Sequence, residues 1–166
     1  MTTPQANDSP QADRAERLFT VEEANTMMPL VRAIVTDLSR LSHDVVERRE
    51  RVALLRAGRD PGNKDPYSEE LAQIEDELEK QTRELQSYVE ELRALGIEPK
   101  DGLNGIIDFP AKLDGRRVYL CWRLGEPEVL FWHEIDGGFS GRQPLTAGTL
   151  SGADGNGISA DDSPQA

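Results

Sequence analysis

Residues 66–99 read PYSEELAQIEDELEKQTRELQSYVEELRALGIEP, and this stretch decides the architecture. Tyr67, Leu71, Ile74, Leu78, Leu85, Tyr88, Leu92 and Leu95 recur in it at steps of three and four, with Gln81 the exception. Such spacing keeps one narrow apolar stripe turned toward a partner helix. The stretch also carries its own punctuation. Asp65 caps the start, with Pro66 at the first helical position, where a missing N–H costs nothing. At the far end Gly96 suits a left-handed C-terminal position, Ile97 can pack back on Leu92, and Pro99 forbids continuation.

The partner lies just upstream. Ala24, Met27, Val31, Ile34, Leu38, Leu41, Val45, Val52 and Leu55 form a second seam, interrupted by Arg48. Thr20 and Glu23 make a capping box at its start, and Pro29 predicts a kink between Ala24 and Leu30. Gly58 follows a stop near Ala57, and residues 58–65 are turn chemistry throughout. So short a loop folds the seams against each other, with Leu38 meeting Leu85 and Val31 meeting Leu92. Leu30, Val35, Val46 and Leu54 widen the first stripe and call for a third surface against that helix. Arg48 should lift its charged end past the edge of the stem.

Beyond Pro99 the chain changes character. Residues 106–109, 118–123 and 128–135 are β-rich runs separated by Pro, Gly and Asp. The Leu-Gly-Glu-Pro link at 124–127 predicts a hairpin with Arg123 opposite Glu128. That register puts Val118, Leu120, Trp122, Val129, Phe131, His133 and Ile135 on one face, and Tyr119, Cys121, Arg123, Leu130, Trp132 and Glu134 on the other. Tryptophan on both faces means that a helix, another subunit or a ligand covers the second one. The expected fold is α+β: a long antiparallel coiled-coil helical hairpin over residues 18–96, then a small three-stranded antiparallel sheet over 97–145. Residues 1–17 and 146–166 read as disordered tails, the second an acidic Gly/Ser one.

Four further features bound the function. Net charge is −12, and residues 66–95 hold nine acids against three bases, which disfavours nucleic acid and anionic lipid as direct partners. No stretch approaches the roughly 20 apolar residues of a membrane span. No basic segment followed by an apolar core opens the chain, so a cytoplasmic protein is expected. The single cysteine, Cys121, excludes an internal disulfide and a multi-thiolate metal site within one chain.

Asp108-Phe109-Pro110, the run from Val118 to Glu126, Phe131-Trp132-His133-Glu134 and the run from Gly138 to Pro144 form a pattern with the opening Leu18 to Asn25. The chain thereby resembles a bacterial family of small proteins known only as a domain of unknown function, over roughly residues 18–145. The resemblance implies a helical N-terminal half joined to a short aromatic C-terminal half. It carries no activity, cofactor or site residue.

Polar and aromatic side chains that crowd the sheet make one candidate pocket for a ligand or partner: Asp108, Trp122, Arg123, Glu126, Trp132, His133, Glu134 and Arg142. Imidazole and carboxylate ligands together suit Zn²⁺ or Mn²⁺, but His133 and Glu134 are adjacent on a strand and point to opposite faces. No metal ligand set is therefore assigned, and no cofactor is identified. Structural readings compete throughout: Arg123 pairing with Glu128, His133 bonding locally, Arg142 pinned to an acid, Cys121 a packed thiol. Asp60 and Asp65 flank the hairpin tip, and in outline an acid-tipped hairpin on a small β module resembles the bacterial transcript-cleavage factors, which insert such a stem into RNA polymerase. The expected role is interaction or scaffolding, with the aromatic β module as contact surface and self-association into a homo-oligomer. A small-molecule or metal-binding protein or enzyme using His133, Glu134, Arg123, Glu126 and Arg142 is the alternative.

Overall fold

The computed structural model describes residues 16–59 and 67–146. Asp60, Asp65 and Pro66, and the two tails apart from residues 16, 17 and 146, lie outside the described residues. Thr20 caps the first helix, its hydroxyl accepting the Glu23 amide at 3.1 Å. Helix α1 (Val21–Thr26) stops after six residues, and α2 (Met28–Arg56) restarts with Pro29 in its first turn. The expected kink is thus a break at Met27, which places proline where its missing donor is harmless. Helix α3 (Ser68–Ala94) ends as its sequence dictates. Gly96 takes φ +88°, and the Ile97 amide donates back to the Leu92 carbonyl at 3.0 Å, burying both side chains.

α2 and α3 run antiparallel, bridged by Arg51–Glu70 at 3.8 Å, Arg48–Glu77 at 3.5 Å and Arg56–Glu75 at 2.6 Å. Leu38 and Leu85 border one hollow, as the pairing of the seams requires.

The sheet has five strands rather than three, in the order β1 (Glu98–Asp101), β2 (Ile106–Leu113), β3 (Arg116–Arg123), β4 (Phe131–His133) and β5 (Gln143–Pro144). Each strand is antiparallel to its neighbour. β2 continues past Phe109 to a two-residue turn at Asp114-Gly115, with φ +50° and +79° and Leu113 opposite Arg116. Positive φ at both central residues matches the right-handed twist of the flanking strands.

The register of β4 differs by one residue from the sequence expectation. Tyr119 pairs with His133, Leu120 with Trp132 and Cys121 with Phe131. The cause is the connection, which spans residues 124–130 rather than four residues. Glu126 folds back on the end of β3: its amide donates to the Arg123 carbonyl at 3.0 Å, and its carboxylate accepts the Arg123 amide at 2.6 Å. Its carbonyl accepts the Trp122 indole N–H at 3.2 Å. Val129 is then drawn inward, its amide donating to the Asn25 side-chain oxygen at 2.8 Å. A slip of one residue exchanges the two faces of a strand. Trp132 therefore joins Val118, Leu120 and Trp122 on the core face, while Phe131 and His133 join Tyr119 and Cys121 opposite. The expected tryptophan on each face does not occur.

That core face packs on the sheet-proximal half of the helices, against Phe19, Ala24, Met28, Val31, Ile34, Val35, Leu38 and Leu92. Phe19 ties the segment before α1 to the sheet. Its amide donates to the Pro110 carbonyl at 2.7 Å and its ring meets Phe109 edge-on at 5.2 Å. The sheet is thus the third surface called for by Val35, which is fully buried. Leu30, Val46 and Leu54 stay exposed, Leu54 at 78%. Farther out, Val45 and Val52 are the buried apolar residues of α2, and α3 has none before Leu92. Leu71, Ile74, Leu78 and Leu85 are half-buried.

Candidate functional site

On the face of the sheet turned away from the helices, three neighbouring strands each contribute one polar side chain. Asp108 on β2 stands opposite Cys121 on β3, and His133 on β4 pairs with Tyr119, two residues along from Cys121. Alternation along each strand puts all three side chains on one face. They are 2%, 1% and 2% exposed, so this is a sealed polar cluster in an apolar sheet. One donor atom from each lies within 4.8 Å of the others.

The hydrogen bonds of His133 fix its chemistry. Nδ1 sits 2.6 Å from the Glu134 carbonyl oxygen, which can only accept, so Nδ1 carries a hydrogen. Nε2 sits 3.0 Å from both oxygens of Asp108. A bare carboxylate and a bare imine nitrogen would face each other there, two acceptors with nothing between them. One proton, or another cation, must therefore occupy that gap. Cys121 adds a third electron-rich atom. Burial, chiefly, and the neighbouring Asp108 push its thiol up to about 12, against the opposing pull of Arg142.

Arg142 closes the cluster from the C-terminal side. It follows a short 3₁₀ turn (Phe139–Gly141), and β5 holds its backbone against β4. Its guanidinium lies between the rings of Phe131, at 4.1 Å, and Phe139, at 4.5 Å. Nη2 donates to Glu126 at 2.5 Å and to the Cys121 carbonyl at 3.3 Å, while Nε is buried without a partner. Nη2 is thus engaged from within the chain, and an incoming carboxylate or phosphate would have to displace Glu126 from it.

Four of the eight sheet residues singled out by sequence come together here: Asp108, His133, Glu126 and Arg142. Arg123 stays at the rim, its guanidinium over Phe139 at 5.7 Å, and does not pair with Glu128. Trp122 and Trp132 lie in the core on the other face, and Glu134 turns away to pair with Arg116 at 2.7 Å. Cys121 and the two phenylalanines that clamp Arg142 belong to the cluster and were not singled out as site residues. The signal for Cys121 was its position on β3 relative to His133 on β4, hidden by the wrong register.

Sealed from solvent and with its thiol pushed up by burial, the cluster is poorly placed for nucleophilic work. Both ring nitrogens of His133 are engaged, and burial, which pushes the Cys121 thiol up to about 12, favours its neutral form. What the three atoms share is an affinity for a cation. A separate groove of about 660 Å³ opens where the end of α3 meets the sheet, bordered by Arg17, Arg93, Glu98, Lys100 and Tyr119. Its cations are already engaged: Arg93 by Glu98, Arg17 by Phe19 and Lys100 by Tyr119. Among the described residues, no helix is long and apolar enough to cross a membrane.

A family model described as an uncharacterized conserved protein, DUF2203, matches residues 17–145. No curated protein and no solved structure matches the chain.

Proposed function

This chain belongs to the uncharacterized conserved protein family DUF2203, and we propose that it is an interaction protein that works as a homo-oligomer through its helical stem. The observation that carries this reading is the uneven burial of one continuous seam. Beside the sheet Val31, Ile34, Leu38 and Leu92 are at most 6% exposed; beyond it Leu71, Ile74 and Leu78 on α3 and Leu55 on α2 are half-exposed, and Leu54, which flanks the seam, is 78% exposed. Two helices alone cannot cover stripes this wide, and a second stem laid alongside completes a bundle. Each additional leucine covered contributes about 1.5–3 kcal/mol when burial is full.

Charge supports a second copy as the occupant. Residues 40–56 carry five arginines against three acids, and residues 68–81 carry six acids against one lysine. Setting α2 of one chain beside α3 of the next repeats the arginine–carboxylate pairing found within the chain. The aromatic β module is a weaker contact surface than the sequence suggested, because both tryptophans are buried in the core. The notion of a polymerase-directed tip rests on Asp60 and Asp65, outside the described residues.

Sedimentation velocity at physiological ionic strength, across a wide concentration series, tests the reading. The full chain should sediment as a dimer or larger species at micromolar concentration, and Leu54→Glu should sediment as a monomer with unchanged helicity. A wild-type chain that stays monomeric throughout would remove the proposal.

A further inference from the structure

We propose that Asp108, Cys121 and His133 form a buried binding site for one divalent cation of the zinc class. Three observations converge on it. The donor atoms are a carboxylate oxygen, a thiol sulfur and an imidazole nitrogen, all within 4.8 Å of one another. Ligand atoms of a tetrahedral zinc site stand roughly 3–4 Å apart, so small side-chain rotations bring the three into position. Secondly, the Nδ1–H of His133 is held by the Glu134 carbonyl at 2.6 Å, leaving Nε2 directed at the cluster. A histidine ligand commonly donates its other ring N–H to a backbone carbonyl or carboxylate, which fixes both tautomer and orientation. Thirdly, the gap between Nε2 and Asp108 must hold a proton or another cation, and a metal ion can take the proton's place.

Charge balance favours the same assignment. A thiolate and a carboxylate together neutralise a dication, so the loaded cluster carries no net charge inside the sheet. The neighbouring Arg142 is compensated separately by Glu126. Loading releases two protons per ion: one from the Cys121 thiol and one from the Asp108–His133 gap. A mixed sulfur, nitrogen and oxygen set selects zinc-class ions over Ca²⁺ and Mg²⁺, which take oxygen ligands. No fourth His, Cys, Asp or Glu joins the group among the described residues, which leaves one position for a water molecule.

The test is titration of the reduced, chelator-stripped, untagged full chain with Co²⁺ alone, followed by optical spectroscopy. The expected result is one equivalent bound, a sulfur-to-cobalt charge-transfer band, and visible bands of four-coordinate intensity that Zn²⁺ abolishes. Cys121 is the sole cysteine, so such a band at one ion per chain, independent of protein concentration, assigns the ligand without a variant. Calorimetry in buffers of different ionisation enthalpy should report release of two protons at neutral pH. Cys121→Ser should remove the band, and His133→Gln should weaken cobalt binding by more than about 100-fold, beyond the 10–100-fold usual for outer-shell partners. Cobalt bound without the sulfur band, or no binding by the folded wild-type chain at millimolar cobalt, would overturn the site.

Discussion

The two halves of the α2–α3 hairpin have the same apolar periodicity and are closed to different degrees. Beside the sheet, Val31, Ile34, Val35 and Leu38 are at most 6% exposed, because Phe109, Leu120 and Trp122 close over them. Past Val45 no sheet remains; Val52 is still only 7% exposed, but Leu55 and the α3 positions that continue the seam are half-open to solvent. Periodicity therefore specifies which side of a helix is apolar, while a third layer decides how much of that side is dry. In the first half the layer is covalently part of the chain. In the second we assign it to another copy.

Paired truncations probe this contrast most strongly. At high dilution, Leu38→Ala should destabilise the fold by about 2–5 kcal/mol, whereas Leu78→Ala should cost about 1 kcal/mol or less, both read from urea midpoints. Equal losses would mean that the outer stem is as well packed as the head. Arg48→Leu sharpens the contrast within the stem. Its Nη1 is buried, makes no hydrogen bond, and reaches Glu77 only at 3.5 Å. Replacement by an apolar side chain should raise stability by about 1 kcal/mol, seen as a higher melting temperature. A fall would mean that the Glu77 pair contributes more than its desolvation costs.

The smallest effect belongs to the β1–β2 turn. Hydrogen bonds from Asn104, first its side chain and then its backbone, hold the Asp101 carboxyl below the usual carboxylate range. A depressed value contributes stability above the unfolded pKa of 3.8, lost as pH falls through the folded value. Asn104→Ala should thus destabilise the chain by less than about 1 kcal/mol at neutral pH, and the difference should shrink on acidification below 3.8. A difference that persists in acid would locate the effect in the backbone turn.

Local rules were legible in the sequence, and non-local ones were not. The Gly96-Ile97 stop appears as read, and of the capping box the half in which the Thr20 hydroxyl accepts the Glu23 amide; each acts within five residues. The strand count failed at the two short edge strands, β1 and β5, and the length of β2 failed at Pro110, which ended the first run prematurely. Its backbone polar groups face the Phe19 side rather than β3, so the missing N–H breaks no ladder bond, and β2 runs on to Asp114-Gly115. The register of β4 failed because Val129 is captured by Asn25, 104 residues away, which no local pattern announces. That single-residue error placed Cys121 and His133 on opposite faces. It hid the one member of the cluster that turns a histidine–aspartate pair into a three-ligand set.

Hydrogen exchange as a function of protein concentration tests the division of the hairpin most directly. Amides of residues 45–56 and 70–81 should gain protection as concentration rises, while those of residues 107–122 should remain equally protected at every concentration. Outer-stem protection that is already maximal at high dilution would show that the hairpin needs no second copy, and would contradict the account.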